Sequence, residues 1–153
     1  NIAIATKDAR HEDVLSASRI ASLDHAVSHF KEGYETFVGE RGVTLSGGQK
    51  QRTAIAQMII RHAPIMVFDD SLSAVDAETD ATIRKRLKEN IAESTVILIA
   101  HRITTLMDAD EIIVLDNGRI AECGNHQELM EKNGIYRKIY DLQSRNTETE
   151  VQA

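Results

Sequence analysis

The sequence predicts an α/β fold, a mostly parallel sheet with an α-helical region attached to it. Three observations carry this expectation. Two short apolar runs, Ile65-Met66-Val67-Phe68 and Thr95-Val96-Ile97-Leu98-Ile99-Ala100, have the length and β-branched content of strands buried on both faces. A stretch of helical periodicity, about Glu78 to Ile91, lies between them, as in a strand–helix–strand unit. The first 45 residues contain no convincing strand and read as a helical subdomain.

Taken in order, about Lys7 to Phe30 is predicted helical, because Ile20, Leu23, Val27 and Phe30 recur at helical spacing. Gly33, Gly39 and Gly42 punctuate a loop. A second helix begins near Ser46 and runs to about Arg61, with Ile55, Met58 and Ile59 as its apolar stripe. Pro64 ends it and opens the first strand, which stops at Asp69 and Asp70. In the helix from Glu78, Ile83, Leu87 and Ile91 are spaced by four. After the second strand, Glu111 to Leu115 reads as a strand, and Asn117-Gly118 is a strong hairpin signal leading to a return strand from Arg119 to Glu122. Asn125 and Glu128 have capping-box spacing before a last helical segment. Gly134 interrupts that segment, Ile135 to Leu142 resumes it, and the polar residues from Ser144 onward are expected to fray.

Composition narrows the function classes. The net charge of −6 argues against a nucleic-acid-binding face. The single cysteine, Cys123, excludes an internal disulfide, fits a reducing compartment, and is expected to be a small buried residue. No apolar run approaches the roughly 20 residues needed to span a bilayer. The chain begins at Asn1 without a signal-peptide pattern, and the expectation is a piece of a longer polypeptide.

Four groups of residues carry chemistry. Leu45-Ser46-Gly47-Gly48-Gln49 falls where a helix begins, so free N–H groups, the positive end of the helix dipole and the Ser46 hydroxyl converge on a place suited to a terminal phosphate. Taken alone, Ser-Gly-Gly reads first as a helix cap in a glycine-rich turn; the motifs that follow it in order change that reading. The strand Ile65 to Phe68 ends in Asp69 and Asp70 at the carboxyl edge where α/β sheets bind ligands. Asp69 suits Mg²⁺, held through water, and Asp70 is placed to orient or deprotonate an attacking water. Ser73-Ala74-Val75-Asp76 follows. His101, just past the second strand, is expected on the same edge as Asp69, within reach of a γ-phosphate.

These groups, in this order and spacing, resemble the ATP-binding domain of ABC transporters. Leu45 to Gln49 is similar to the signature motif, Ile65 to Asp69 to the Walker B strand, Ser73 to Asp76 to the D-loop, and His101 to the switch histidine. Tyr34 to Gly42 resembles the approach to the signature in exporters, and Gly124-Asn125-His126-Gln127-Glu128-Leu129 the usual end of an exporter domain. The resemblance implies a P-loop NTPase (RecA-like) fold, incomplete in this chain. Residues 1–45 would be part of the helical subdomain, 46–143 the later part of the ATPase core, and 144–153 a polar tail.

It implies ATP and Mg²⁺ as ligands. Asp70 and His101 would act in catalysis, Ser46, Gly47, Gly48, Gln49 and Asp76 in ATP binding, and Asp69 at the metal. It further implies two partners at the cytoplasmic face of the cell membrane. One is a second such domain, in a homodimer or a heterodimer; the other is the transporter's transmembrane domain. The signature would serve the partner's ATP in trans.

Two departures qualify the resemblance. No G-x-x-x-x-G-K-[ST] loop occurs in the chain. Asp70 stands where the family has a glutamate base, as in the degenerate subunit of heterodimeric exporters. Two other readings stay open: a soluble ABC-type ATPase of DNA repair or translation, and a chain inert alone that only presents a signature face. Two weaker constellations are read as solvated helix faces. They are His25 with His29, and the basic run Arg84, Lys85, Arg86 and Lys88.

Overall fold

The computed structural model describes residues 1–69, 75–91 and 94–151. It forms two compact units, Asn1–Ile99 and Ala100–Ala153.

In the first unit, α1 (His11–Ile20), α2 (Asp24–Ser28), α3 (Gly47–Ile59) and α4 (Ala77–Asn90) accompany β1 (Ile65–Asp69) and β2 (Thr95–Ile99). The two strands pair in parallel from Ile65 opposite Thr95 to Asp69 opposite Ile99, with α4 between them in sequence. Met66 and Phe68 of β1 join Ile55, Ala56 and Ile59 of α3, Ile83 and Leu87 of α4, and Ala17 and Ile20 of α1 in one core. The predicted parallel strand–helix–strand unit is therefore present.

The expectation that both strand faces are buried is corrected. Ile65, Val67, Ile97 and Ile99 are 61, 51, 46 and 50 % exposed. Strand side chains alternate between faces, and among the described residues the helices pack on one face only.

The predicted helix from Lys7 to Phe30 is also corrected. It starts at His11 and breaks after Ile20. Ser22 takes the left-handed conformation, at φ 53°. The Leu23 amide donates to the Ser18 carbonyl at 2.9 Å and the Ser22 amide to that of Arg19 at 3.0 Å, the paired closure of a Schellman ending. Arg86 of α4 secures this non-glycine turn, donating through Nη1 to the Arg19 carbonyl and to Ser22 Oγ. The basic run is thus not uniformly a solvated face. Arg86 is used here, Arg84 is largely buried beside Asp80 at 3.3 Å, and Lys85 and Lys88 are exposed.

In the second unit, α5 (Ile103–Leu106) precedes the antiparallel hairpin of β3 (Ile112–Asp116) and β4 (Arg119–Gly124), followed by α6 (His126–Glu131) and α7 (Ile135–Val151). Asn117 and Gly118 both have positive φ, 48° and 75°, as a two-residue type I′ connection requires. Ile103, Ile112, Leu129 and Tyr136 form the core. Helix α7 continues to Val151, past the point where fraying is expected from composition. Its start depends on a close approach. The Glu122 carboxylate of β4 accepts from the amides of Ile135 and Tyr136, and a Cβ on Gly134 would lie 1.8 Å from Glu122 Oε1. Cys123, expected buried, is exposed, and its Sγ donates to Glu111 Oε1 at 3.1 Å.

Candidate functional site

Helix α3 begins where the glycines predict. Ser46 is its N-cap, with extended backbone at φ −65° and ψ 164°. Its Oγ accepts from the Gln49 amide at 3.3 Å, and Gln49 Oε1 accepts from the Ser46 amide at 2.9 Å. This reciprocal box satisfies two of the groups a helix start leaves unpaired. A hydroxyl has one proton and two lone pairs, so Ser46 can cap through Oγ and still donate its proton outward.

The amides of Gly47 and Gly48, in the first turn, have no acceptor within the helix itself. Gly47 does not have positive φ, and a Cβ built on it meets nothing within 4 Å. Neither backbone conformation nor crowding among the described residues requires glycine there. The first turn of α3 carries no acid, whereas those of α1, α4 and α6 hold Glu12 and Asp13, Glu78 and Asp80, and Glu128.

Asp69 is the last residue of β1 and exposed, on the same strand face as Ile65 and Val67. A single carboxylate at a strand end fits Mg²⁺, which keeps several waters and is completed by substrate phosphates. Among the described residues no three His, Cys, Asp or Glu side chains cluster as metal ligands. His29 Nδ1 lies 2.8 Å from the His25 carbonyl, so local backbone contact accounts for that ring's position. Asp70 and Ser73, with Ala74, lie outside the described residues.

Asp76 caps α4. Its Oδ1 accepts from the Thr79 amide at 2.9 Å. Hydrogen bonding from Thr79 holds the Asp76 carboxyl below its ordinary pKa, and the positive charge of Arg52 adds to this. Arg52 is a residue that sequence reasoning missed. Its Nε is buried with no hydrogen-bond partner. The signal was present, since Arg52 extends the stripe of Ile55, Ala56 and Ile59 by three, four and seven residues, which puts a cation on the inward face of α3.

His101 is exposed and belongs to the second unit. Its carbonyl accepts from Gln143 Nε2 at 2.7 Å. The remaining candidates stand on the first unit, each group on its own element. Ser46 to Gln49 open α3, Asp69 ends β1 and Asp76 opens α4.

Comparison with known proteins bears on this arrangement. The ABC transporter family profile matches residues 4–73. An uncharacterized ABC transporter ATP-binding protein, YknU, of Bacillus subtilis is 48 % identical over 95 % of the chain. An ATP-dependent lipid A-core flippase of Haemophilus influenzae is 42 % identical over 94 % of it. A solved structure of a bacterial Atm1-family ABC exporter with ATP bound is 39 % identical and covers 93 % of the chain at a TM-score of 0.88. The chain spans about a quarter of the length of each: 25 % of YknU and of the exporter structure, and 24 % of the flippase.

Proposed function

We propose, from the premise that this chain belongs to the ATP-binding domain family of ABC transporters, that it is the later part of the ATPase of an exporter. Residues 1–45 then belong to the helical subdomain and 46–143 to the catalytic core. The protein that contains it couples ATP hydrolysis to moving a drug, lipid or peptide across the membrane, working at its cytoplasmic face against a transmembrane domain.

The observation that carries this reading is the start of α3. It has first-turn amides with no acceptor within the helix, no acid in that turn, and a glycine at position 47 that the described fold does not itself require. Such an end binds the terminal phosphate of a nucleotide. In this reading Ser46, Gly47, Gly48 and Gln49 close over ATP held by a second ATP-binding domain, in a homodimer or a heterodimer. Asp76, through the loop before α4, lines the same interface.

At the chain's own site, Asp69 holds Mg²⁺ through water, and the ion when bound neutralises developing charge on the phosphates. Asp70 positions the attacking water, and His101 contacts the γ-phosphate. The uncovered aliphatic face of β1 and β2, with Asp69 at its end, is the place for the phosphate-cradling segment that this sequence does not contain. The isolated chain is accordingly expected to show no Mg-ATP binding by calorimetry at micromolar nucleotide. Micromolar affinity would contradict the division of the site.

The test in the full-length protein is Ser46→Glu, with hydrolysis followed at the partner's site. A carboxylate at the helix start repels the phosphate, and turnover there is expected to fall on the order of a hundredfold. Unchanged turnover would refute the assignment.

The Asp70 position sharpens the proposal. Aspartate is one methylene shorter than glutamate, and a misplacement of about 1 Å costs on the order of a hundredfold in rate. The chain's own site therefore hydrolyses slowly, and its bound ATP mainly holds the dimer together. Asp70→Glu is expected to raise hydrolysis at that site. A wild-type site already as fast as the partner's would end this part of the reading.

A further inference from the structure

We propose that Gln143 of α7 is a positioning residue for His101, fixing the backbone that presents the imidazole. The inference rests on the reading of His101 as the γ-phosphate contact, and it gives the C-terminal helix a part in hydrolysis.

One side-chain amide grips two backbone groups. Gln143 Nε2 donates to the His101 carbonyl at 2.7 Å, and its Oε1 accepts from the Ile103 amide at 2.9 Å. The residue between, Arg102, is extended at φ −95° and ψ 121°. A carbonyl at one residue and an amide two residues on are what a neighbouring strand would engage. The glutamine therefore does the work of a strand partner for the segment from His101 to Ile103. Its planar amide offers donor and acceptor side by side, which no hydroxyl or carboxylate does in both directions.

Both ends of this clamp are anchored. Ile103 is buried in the core of the second unit with Leu129 and Tyr136, so the chain just after His101 is held. Helix α7 is held at its start, where Glu122 accepts from the Ile135 and Tyr136 amides. Tyr136, Tyr140 and Gln143 recur at positions four and seven apart, so Gln143 lies on the stripe of α7 that faces this core. His101 is exposed. With its side chain outside the core, the position of its ring depends on where its backbone is held, and Gln143 binds that backbone directly.

The test uses the full-length protein and single-turnover hydrolysis at the site carrying His101, which resolves even a slow site. Gln143→Glu keeps the shape and the acceptor for Ile103 but sets a carboxylate oxygen against the His101 carbonyl. Gln143→Met keeps the length and removes both bonds. Each is expected to slow hydrolysis on the order of tenfold, with KM for ATP within about twofold of wild type. In a His101→Ala background Gln143→Glu is expected to cause no further loss, because the residue acts through His101.

Unchanged hydrolysis in both glutamine variants, with His101→Ala inactive, would overturn the clamp and leave the site assignment standing. A Gln143→Glu loss that adds in full to that of His101→Ala would overturn it too, since the effect would then be general to the fold. If His101→Ala itself leaves turnover unchanged, the underlying reading of His101 fails instead.

Discussion

Helices α3 and α6 begin with the same device in different surroundings. Ser46 and Gln49 form a capping box on α3, and Asn125 and Glu128 form one on α6. The residue after the α6 cap is His126, whose Nδ1 lies 2.7 Å from the hydroxyl of buried Tyr136. The residue after the α3 cap is Gly47, where a built Cβ would meet nothing within 4 Å among the described residues. A second contrast concerns glycine. Gly134, just before α7, faces the Glu122 carboxylate at a distance no Cβ could occupy, whereas Gly47 faces open space. A cap motif by itself therefore does not mark a binding site. Open space at Gly47 and a first turn without acid set the start of α3 apart from that of α6, which His126 and Tyr136 close within the fold.

The same acid placed at both caps distinguishes the two helix starts most directly. Ser46→Glu and Asn125→Glu each remove a cap, at a cost of about 1 kcal/mol of stability. Only the first is expected to lower hydrolysis at the partner's site, on the order of a hundredfold, while the second leaves it within about twofold. Equal losses measured in the two full-length variants would mean that the α3 end has no special role.

The glycines provide the next test. Gly134→Ala forces the Glu122 carboxylate off the start of α7 and is expected to cost about 1–3 kcal/mol. Hydrogen exchange should show lost protection in the first turn of α7. Gly47→Ala is expected to leave protection of α3 unchanged, since the new methyl meets nothing. The reverse pattern would show that Gly47 is structural.

A smaller effect separates the two capping boxes. Asn125→Ala is expected to cost about 1 kcal/mol, read as faster exchange at the Glu128 amide, with ATP turnover unaltered.

The smallest effect is in acid. The folded-state pKa of Asp76 is lowered, so its capping contribution is present above the unfolded value and lost as pH falls through the folded one. That window lies below about pH 4. The Ser46–Gln49 box contains no titrating group. Between pH 7 and pH 3 the protection factor at Thr79 should fall while that at Gln49 holds. A parallel fall at both amides would mean that global unfolding dominates.

What the sequence determined by itself is local. The box at Ser46, the box at Asn125, the hairpin at Asn117-Gly118 and the ends of β1 and β2 each depend on groups within a few residues of one another, so spacing and residue type encode them. The motif order that identifies the family is likewise a property of the chain, as are the places of Ser46 before α3, Asp69 at the end of β1 and Asp76 before α4.

The tertiary structure decided whatever depends on distant groups. Arg86 stabilises the Ser22 turn from 64 residues away, and this break in the first helix has no local glycine or proline to announce it. Gln143 reaches the His101 backbone across 42 residues, a contact that no local spacing encodes. The apolar runs of β1 and β2 state that these strands are meant to be covered. Which face the helices cover is settled only when α1, α3 and α4 pack, because hydrophobicity specifies burial without specifying the partner that provides it.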